Sequence, residues 1–305
     1  MKRPAIISFG EVLWDLFPEG EQFGGAPANF ACHAAILGAN VTMVSAVGED
    51  RRGRQAVDIL KSYGIDVSLL QPVADAVTGT VAVEIDSDGV PAFTIHENSA
   101  WDRLDWNIQL EARVAAADAV YFGTLGQRSE VSRFTIRQCV KAARAAGIPR
   151  VLDINLRAPF YDSEVIRESV RHASILKLSD EELSEVCAGC GIDNRDPPDA
   201  QLRRVLDTNN LDLVVMTRGA EGAVLVTADE IVQHPGIPTN VHDTVGAGDS
   251  FTAAFLLGLL RGEPHDQMLH KACVNAVATC GHTGAVPWRP EHHQRTEAET
   301  DCLGQ

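Results

Sequence analysis

Short apolar runs alternate along the chain with segments whose apolar residues recur at helical spacing. Six runs are typical of strands: AIISF (5–9), VTMVSAV (41–47), DAVYFG (118–123), RVLDIN (150–155), SILKLS (174–179) and LDLVVMT (211–217). Their residues are apolar on both faces, as a covered parallel sheet requires. The alternation predicts an α/β fold of three layers, in which helices cover both faces of a mostly parallel sheet.

Two β-type segments depart from this alternation. GTVAVEIDSDGVPAFTIHE (79–97) predicts a hairpin around Ser87-Asp88-Gly89, and EVLWDLFPEG (11–20) is extended with no helix after it. We expect them to form a small β-sheet lid, built from about 11–24 and 79–102, over the α/β core. A further hairpin is predicted at 223–234. Since no repeat or linker interrupts the pattern, 1–290 is predicted to be one domain, and 291–305 a flexible tail.

Composition narrows the class of protein. The chain has 305 residues and a formal net charge of −16, which disfavours nucleic acid as a partner. It has no run of about 18 apolar residues, so no membrane span is expected, and we predict a cytoplasmic protein. Cys187 and Cys190 form a C-x-x-C pair, but no second half at zinc spacing follows.

The segment DTVGAGDSF (243–251) carries the first candidate chemistry. Gly246 and Gly248 allow a tight turn, and the apolar run after them predicts a buried helix. The free N–H groups at the start of such a helix form an anion site. Asp249 beside a bound phosphate is suited to take a proton from an attacking alcohol. Taken alone, the pattern fits an aspartate N-cap equally well.

Other phosphate-binding motifs do not occur in the sequence. The pattern G-x-x-x-x-G-K-[ST] is absent, and no G-x-G-x-x-G follows a strand, which argues against a P-loop enzyme and against an NAD-dependent oxidoreductase.

Two motifs together resemble a known family. GGAPANFA (24–31) and DTVGAGDSF, in this order and spacing, are similar to the paired signature of the ribokinase-like carbohydrate kinases, also called the phosphofructokinase B family. The resemblance extends over nearly the whole chain. It implies an α/β core with a β-lid, sugar and ATP as the substrates, and Mg²⁺ as the nucleotide's partner.

The resemblance also implies roles for individual residues near these motifs. Asp249 matches the catalytic base, and the backbone of Gly246, Ala247 and Gly248 matches the anion hole. The positions that match sugar-binding residues are Asp15, Gly24, Gly25 and Asn29. Asp243 and Thr244 match positions that contribute to a monovalent-cation site, which would hold K⁺, in many members.

Further positions are expected to bind the substrates. Arg157 follows a strand and is expected to reach toward sugar or phosphate, because a guanidinium suits an oxyanion. Trp101, in the AWD segment, is expected on the sugar side. The expected ATP-binding residues are Lys177, Glu182, Thr217, Gly219, Gly222 and Asn275. Ser179 stands where the family usually has asparagine, three residues before Glu182.

Several segments, among them GEVLWDLFP, AWD and FGTLGQRS, resemble bacterial fructokinases. The resemblance therefore implies phosphorylation of D-fructose at its 6-hydroxyl. Alternatives within the family are 2-keto-3-deoxygluconate kinase and ribokinase. A different class of protein, a non-catalytic regulator that binds sugar or nucleotide, usually lacks the base or a glycine of the anion hole. The predicted lid has an edge strand whose backbone groups are unpaired. Such an edge can pair with that of a second copy of the chain, so a homodimer is predicted.

Overall fold

A nine-stranded sheet forms the centre of the computed structural model, which describes residues 2–85, 91–239 and 241–287. Its strands are β1 (Ala5–Phe9), β4 (Asn40–Gly48), β5 (Asp66–Val73), β8 (Ala119–Gly123), β9 (Arg150–Asp153), β10 (Ile175–Ser179), β11 (Leu213–Thr217), β12 (Ala223–Val226) and β13 (Ile231–His234). They lie in the order β13-β12-β11-β10-β9-β8-β1-β4-β5. All neighbours are parallel except β11–β12 and β12–β13, so the predicted hairpin at 223–234 is confirmed.

Helices cover both faces of this sheet. They are α1 (Ala26–Ile36), α2 (Arg51–Ser62), α3 (Ile108–Ala115), α4 (Glu130–Ala145), α5 (Ser163–His172), α6 (Leu183–Gly189), α7 (Pro198–Asn209), α8 (Ala247–Leu260) and α9 (His265–Cys280). One core packs α1, α2, α8 and α9 against the sheet, and the other packs α3 to α7. Consecutive strand residues such as Ile6 and Ile7 enter opposite cores. This arrangement confirms the predicted three-layer α/β fold.

A second sheet of four strands stands apart from the central sheet. It contains β2 (Leu13–Phe17), β3 (Gly20–Gly24), β6 (Gly79–Ile85) and β7 (Pro91–Ile95), in the order β3-β2-β6-β7. We call it the lid sheet. β2 and β6 are parallel, whereas the pairs β2–β3 and β6–β7 are antiparallel. Residues 100–103, which were included in the predicted lid, form a short 3-10 turn instead.

Some predictions fall outside the described residues. The turn at Ser87-Asp88-Gly89 and the tail at 291–305 are among them, although the strands on either side of the turn do pair as expected. The division into one domain at 1–290 stays a prediction. β3 and β7 lie at the two edges of the lid sheet, and the homodimer predicted through such an edge also stays a prediction.

None of the helices in the described ranges is long and apolar enough to cross a membrane.

The connectivity brings distant segments to one edge of the central sheet. β1, β8, β9, β10 and β11 run parallel, so the loops after them meet at the same edge. α1 begins directly after β3 of the lid sheet, and its side packs against α8. The crevice beyond the carboxyl ends of parallel strands is the usual place for a ligand in open α/β sheets.

Candidate active site

The start of α8 presents unpaired backbone amides. Gly246 precedes the helix with φ of 78°, a left-handed conformation, and a Cβ there would overlap the backbone oxygen of Ala285. Ala247 donates to the Thr244 oxygen at 3.2 Å, whereas Gly248 and Asp249 have no backbone acceptor within the described residues. Their N–H groups and the positive end of the helix dipole suit an anion.

Asp249 lies in the first turn of this helix and is buried. Because Gly246 is the N-cap and no side chain caps the helix, the N-cap alternative for Asp249 is wrong. The Asn29 amide donates to Asp249 Oδ2 at 2.9 Å and ties α1 to α8. Burial, aided by the negative charge of Asp153, raises the pKa of Asp249 to about 6, although the hydrogen bond from Asn29 acts in the opposite direction. Such a carboxylate is poised to accept a proton near neutral pH.

A buried ion pair lies behind the helix start. Lys177 Nζ is 3.1 Å from Asp153 Oδ1, and the Thr252 hydroxyl donates to Asp153 Oδ2 at 3.2 Å. A Cβ on Gly248 would be 3.1 Å from Lys177 Nζ, so the ammonium group lies directly beneath the anion site. Burial, the largest single effect, favours the neutral amine, but the negative charges of Asp153, Glu182 and Asp249 together outweigh it and raise the pKa of Lys177. The lysine is therefore charged where an anion would bind.

Asp15 reaches this region from β2 of the lid sheet. Burial raises the pKa of its half-buried carboxyl to about 6, and Arg157 acts against this shift. A Cβ on Gly24 would come within 2.7 Å of Asp15 Oδ2, so the glycine leaves the carboxyl room. The exposed Arg157 lowers the pKa of Asp249 as well. One guanidinium therefore influences both the lid carboxyl and the carboxyl at the start of α8.

The chain also matches known proteins. It matches the pfkB family carbohydrate kinases over residues 16–291. This chain belongs to the pfkB family of carbohydrate kinases. It is 31% identical to a probable fructokinase-5 of Arabidopsis thaliana, over 84% of this chain and 83% of the relative. It is 28% identical to the aminoimidazole riboside kinase of Salmonella typhimurium, over 89% of this chain and 86% of the relative.

A solved structure shares the architecture of this pfkB-family chain. The crystal structure of an uncharacterized sugar kinase from Pyrococcus horikoshii in complex with ATP has a TM-score of 0.77. It is 25% identical, and the match covers 97% of this chain and 98% of that one.

Four of the residues predicted to bind the nucleotide lie at or shortly after the ends of the neighbouring strands β10 and β11: Glu182, Thr217, Gly219 and Gly222. Glu182 accepts from the backbone amide of Leu156 at 2.7 Å and from that of Ser179 at 2.8 Å. The serine that replaces the family asparagine therefore orients Glu182 through its backbone. Thr217 ends β11, and Gly219 and Gly222 enclose the short turn before β12. The site roles of all these residues stay predictions.

Three predicted residues are held by other contacts. The ring of Trp101 is 2% exposed and lies under the Arg128 guanidinium, which is 3.8 Å from the ring centre. Asn275 donates to the Ser250 oxygen at 2.9 Å and so joins α9 to α8. Asp243 accepts from the amides of Val245 and Gly284, at 3.0 and 2.9 Å. Trp101 packs beside the lid sheet, and its expected place on the sugar side stays a prediction, as does the contribution of Asp243 and Thr244 to a K⁺ site.

No group of three or more His, Cys, Asp or Glu side chains within the described ranges is arranged to hold a metal ion. Mg²⁺ in kinases is usually held by one or two carboxylates together with the phosphates of the substrate. A divalent ion brought by a nucleotide fits this arrangement, because the anion site lies beside carboxylates rather than within a protein cage.

Sequence reasoning did not identify Glu11 and Tyr121. Glu11 follows β1 and is 3% exposed, and Tyr121 on β8 is fully buried. Burial raises the pKa of Glu11 to about 7, and the charge of Asp249 adds to this effect. One signal was available: in FGEVLW the acid has apolar neighbours on both sides, a context in which a solvated carboxylate is unusual.

Proposed function

We propose that the protein is an ATP-dependent fructokinase that transfers the γ-phosphoryl group of ATP to the 6-hydroxyl of D-fructose. The observation that supports this most is the buried Asp249 carboxyl, held by Asn29 beside unpaired amides at the start of α8. The identity with a probable fructokinase supports the choice of sugar, and the ATP complex of the Pyrococcus kinase supports the choice of donor.

In this proposal Asp249 takes the proton of the attacking hydroxyl while the new O–P bond forms, the bond between the γ-phosphorus of ATP and its bridging oxygen breaks, and ADP leaves. The amides of Gly248 and Asp249 and the ammonium group of Lys177 balance the negative charge of the transferred group. Apart from this proton transfer, the protein positions the two substrates and stabilises the negative charge, which is how phosphoryl transfer is usually catalysed. ATP would supply the phosphoryl group, and Mg²⁺ held mainly by the phosphates of ATP would neutralise part of their charge.

The acceptor is held from two sides in this proposal. Asp15 on the lid sheet and Asn29 on α1 offer a carboxylate and an amide, which suit sugar hydroxyls. Arg157 faces the same region from the loop after β9. On the nucleotide side, Glu182, Thr217 and the turn at 219–222 would line the ATP site.

A second candidate acceptor is 2-keto-3-deoxygluconate. The exposed Arg157 acts electrostatically on the site carboxyls, and its one hydrogen-bond acceptor among the described residues is the Leu156 backbone oxygen, at 2.9 Å. Its guanidinium is therefore available to a carboxylate of the substrate. Ribose, and a riboside of the kind named for the Salmonella relative, are further acceptors to compare. A non-catalytic regulator is disfavoured because the base and the glycines are all present.

The test is a screen of ADP release by the purified protein with ATP, Mg²⁺ and one acceptor at a time. The acceptors are fructose, 2-keto-3-deoxygluconate, ribose, mannose and a set of nucleosides. We expect the highest kcat/KM with fructose, and acceptor-dependent ADP release at least about 100-fold slower from the Asp249→Asn variant. A kcat/KM at least tenfold higher with any other acceptor would reject fructose, since this corresponds to about 1.4 kcal/mol of transition-state preference.

A further inference from the structure

The carboxyl group of Glu11 is buried, and its hydrogen bonding within the described structure is incomplete. It follows β1 at the edge where the strand ends meet, and only 3% of the residue is exposed. Its Oε2 atom has no hydrogen-bond partner among the described residues. A Cβ on Gly126, in the loop after β8, would lie 3.6 Å from this oxygen, and a Cβ on Gly25, before α1, would lie 3.4 Å from Glu11 Cγ. The side chain therefore fills the space between the β8 loop and the start of α1.

Two further polar atoms nearby lack partners. Asn29 Oδ1 and the Tyr121 hydroxyl are buried without a hydrogen bond among the described residues. The Asn29 amide contacts Asp249, and the charges of Asp153, Asp249 and Glu11 all act on the Tyr121 hydroxyl. Buried polar atoms in native proteins almost always have a partner, either in the protein or in a bound molecule. Three such atoms around Asp249 therefore indicate a hydroxyl-bearing occupant.

Glu263 is a half-buried acid whose contacts differ from those of Glu11. Glu263 also has one unpartnered buried oxygen, but its other oxygen pairs with Lys271 at 2.8 Å. It follows the far end of α8, a helix of 14 residues, which places it roughly 20 Å from the start of that helix. Glu11 has no ion pair in the described structure and lies beside Asp249, whose charge acts on it.

The protonation of Glu11 suits contact with a hydroxyl. Burial raises the pKa of its carboxyl to about 7, so both the neutral and the charged form are accessible near neutral pH. The neutral form can donate a hydrogen bond as well as accept one, and a sugar hydroxyl can do both. A water molecule in the same place would satisfy the atom without any effect on substrate choice.

We propose that Glu11 is a specificity-determining residue of the acceptor pocket, where its Oε2 atom hydrogen-bonds one hydroxyl of the bound polyol. This inference rests on the proposed kinase function but not on fructose as the acceptor. The hydroxyl bound by Glu11 is a different one from those that Asp15 and Asn29 are proposed to hold.

The experiment compares acceptors that each lack one hydroxyl, derived from whichever polyol the parent phosphorylates best. We expect one hydroxyl whose removal lowers kcat/KM at least tenfold in the parent but no more than twofold in Glu11→Ala, because the variant has already lost that contact. At the other hydroxyls the variant and the parent should lose the same factor. The KM for ATP should stay within twofold of the parent.

Glu263→Gln is the matched control, and it should discriminate among the acceptors as the parent does. If Glu11→Ala does not fold, Glu11→Gln takes its place, with discrimination at the one hydroxyl altered at least fivefold. Equal losses in parent and variant at every hydroxyl would overturn the proposal and leave a buried water as the partner of Glu11. A parent that phosphorylates no polyol would overturn this inference together with the proposed function.

Discussion

The proposed chemistry depends on the carboxyl group of Asp249. Its surroundings shift the pKa of this group in opposite directions. Burial raises the pKa to about 6, whereas the Asn29 amide and the charges of Lys177 and Arg157 lower it. A base must be deprotonated to act, so we expect kcat/KM for the sugar to fall about tenfold per pH unit below about pH 6. Asn29→Ala removes a hydrogen bond that favours the charged form, so its acid limb should move to higher pH. A pH–rate profile of each protein at saturating ATP checks this. A limb that stays in place or moves to lower pH would contradict the assignment.

Replacing Asp249 by asparagine tests the same group directly. Asparagine keeps the shape of the side chain but cannot take a proton, and loss of a general base typically lowers kcat about 10²- to 10⁴-fold. Affinity for ATP should hold or rise slightly, because a negative charge beside the phosphates is removed. Turnover and calorimetric ATP binding are measured on the same preparation. Turnover within tenfold of the parent would show that Asp249 is not the base.

Asp15 should act on the sugar and not on the nucleotide. Loss of a hydrogen bond to a charged group costs about 1.5 to 3 kcal/mol, so Asp15→Ala should raise the sugar KM roughly 10- to 100-fold. The KM for ATP should change less than threefold, since Asp15 stands on the lid sheet. Steady-state kinetics with each substrate varied in turn measure the two values. Equal increases in both would indicate that Asp15 acts on the fold or on closure.

At the scale of the element, the start of α8 depends on two glycines for different reasons. Gly246 has a left-handed conformation that no side chain enters easily, and a Cβ would overlap the backbone of Ala285. Gly248 lies within the helix, and a Cβ there would meet only the end of Lys177, at 3.1 Å. Gly246 is therefore required by the backbone conformation, whereas Gly248 leaves the anion site free of a side chain.

Gly248→Ala should consequently separate folding from activity. We expect a folded protein, because alanine favours a helix and the Lys177 side chain can yield, but kcat lowered at least tenfold because a methyl group stands at the anion site. Gly246→Ala is the comparison, and it should lower the melting temperature clearly. Thermal melts and ADP release are measured for both variants. Parent-like turnover of Gly248→Ala would show that no anion binds against this residue.

The elements themselves were largely predictable from the sequence, because hydrophobic period reports local structure. Strand β4 follows its pattern closely, and the lid strands are recognised by alternation without a following helix. The site was harder to predict. The pairing of Lys177 with Asp153 depends on which strands are neighbours, and the burial of Trp101 depends on Arg128, which lies in a later segment. Such contacts leave no local pattern, so neither the ion pair nor the packing of Arg128 on Trp101 could be predicted from the sequence.

At the scale of the whole molecule, the carboxyls of Glu11, Asp15 and Asp249 carry raised pKa values in a chain of net charge −16. Burial raises the pKa of Glu11 to about 7 and those of Asp15 and Asp249 to about 6. In the unfolded chain these groups ionise near pH 4. Between about pH 4 and 7 these groups therefore hold more protons in the folded protein than in the unfolded one, so their contribution to the free energy of unfolding falls as the pH rises through this window. The arrangement that prepares the site for catalysis thus opposes stability at neutral pH.

Asp249→Asn should for this reason be more stable than the parent at neutral pH, although its turnover is expected to be much lower. With a folded pKa of about 6, against about 3.8 in the unfolded chain, ionisation of Asp249 costs at most about 3 kcal/mol. Between pH 5 and 7.5 the advantage of the variant should widen by about 1 kcal/mol, because most of the ionisation of the folded-state carboxyl occurs in this range. Urea unfolding at both pH values measures the difference, and Asp58→Asn, at an exposed position of α2, should show no such widening. If the advantage of Asp249→Asn is the same at both pH values or shrinks, Asp249 does not titrate at a raised pKa in the folded protein, and the acid limb expected for catalysis must come from another group.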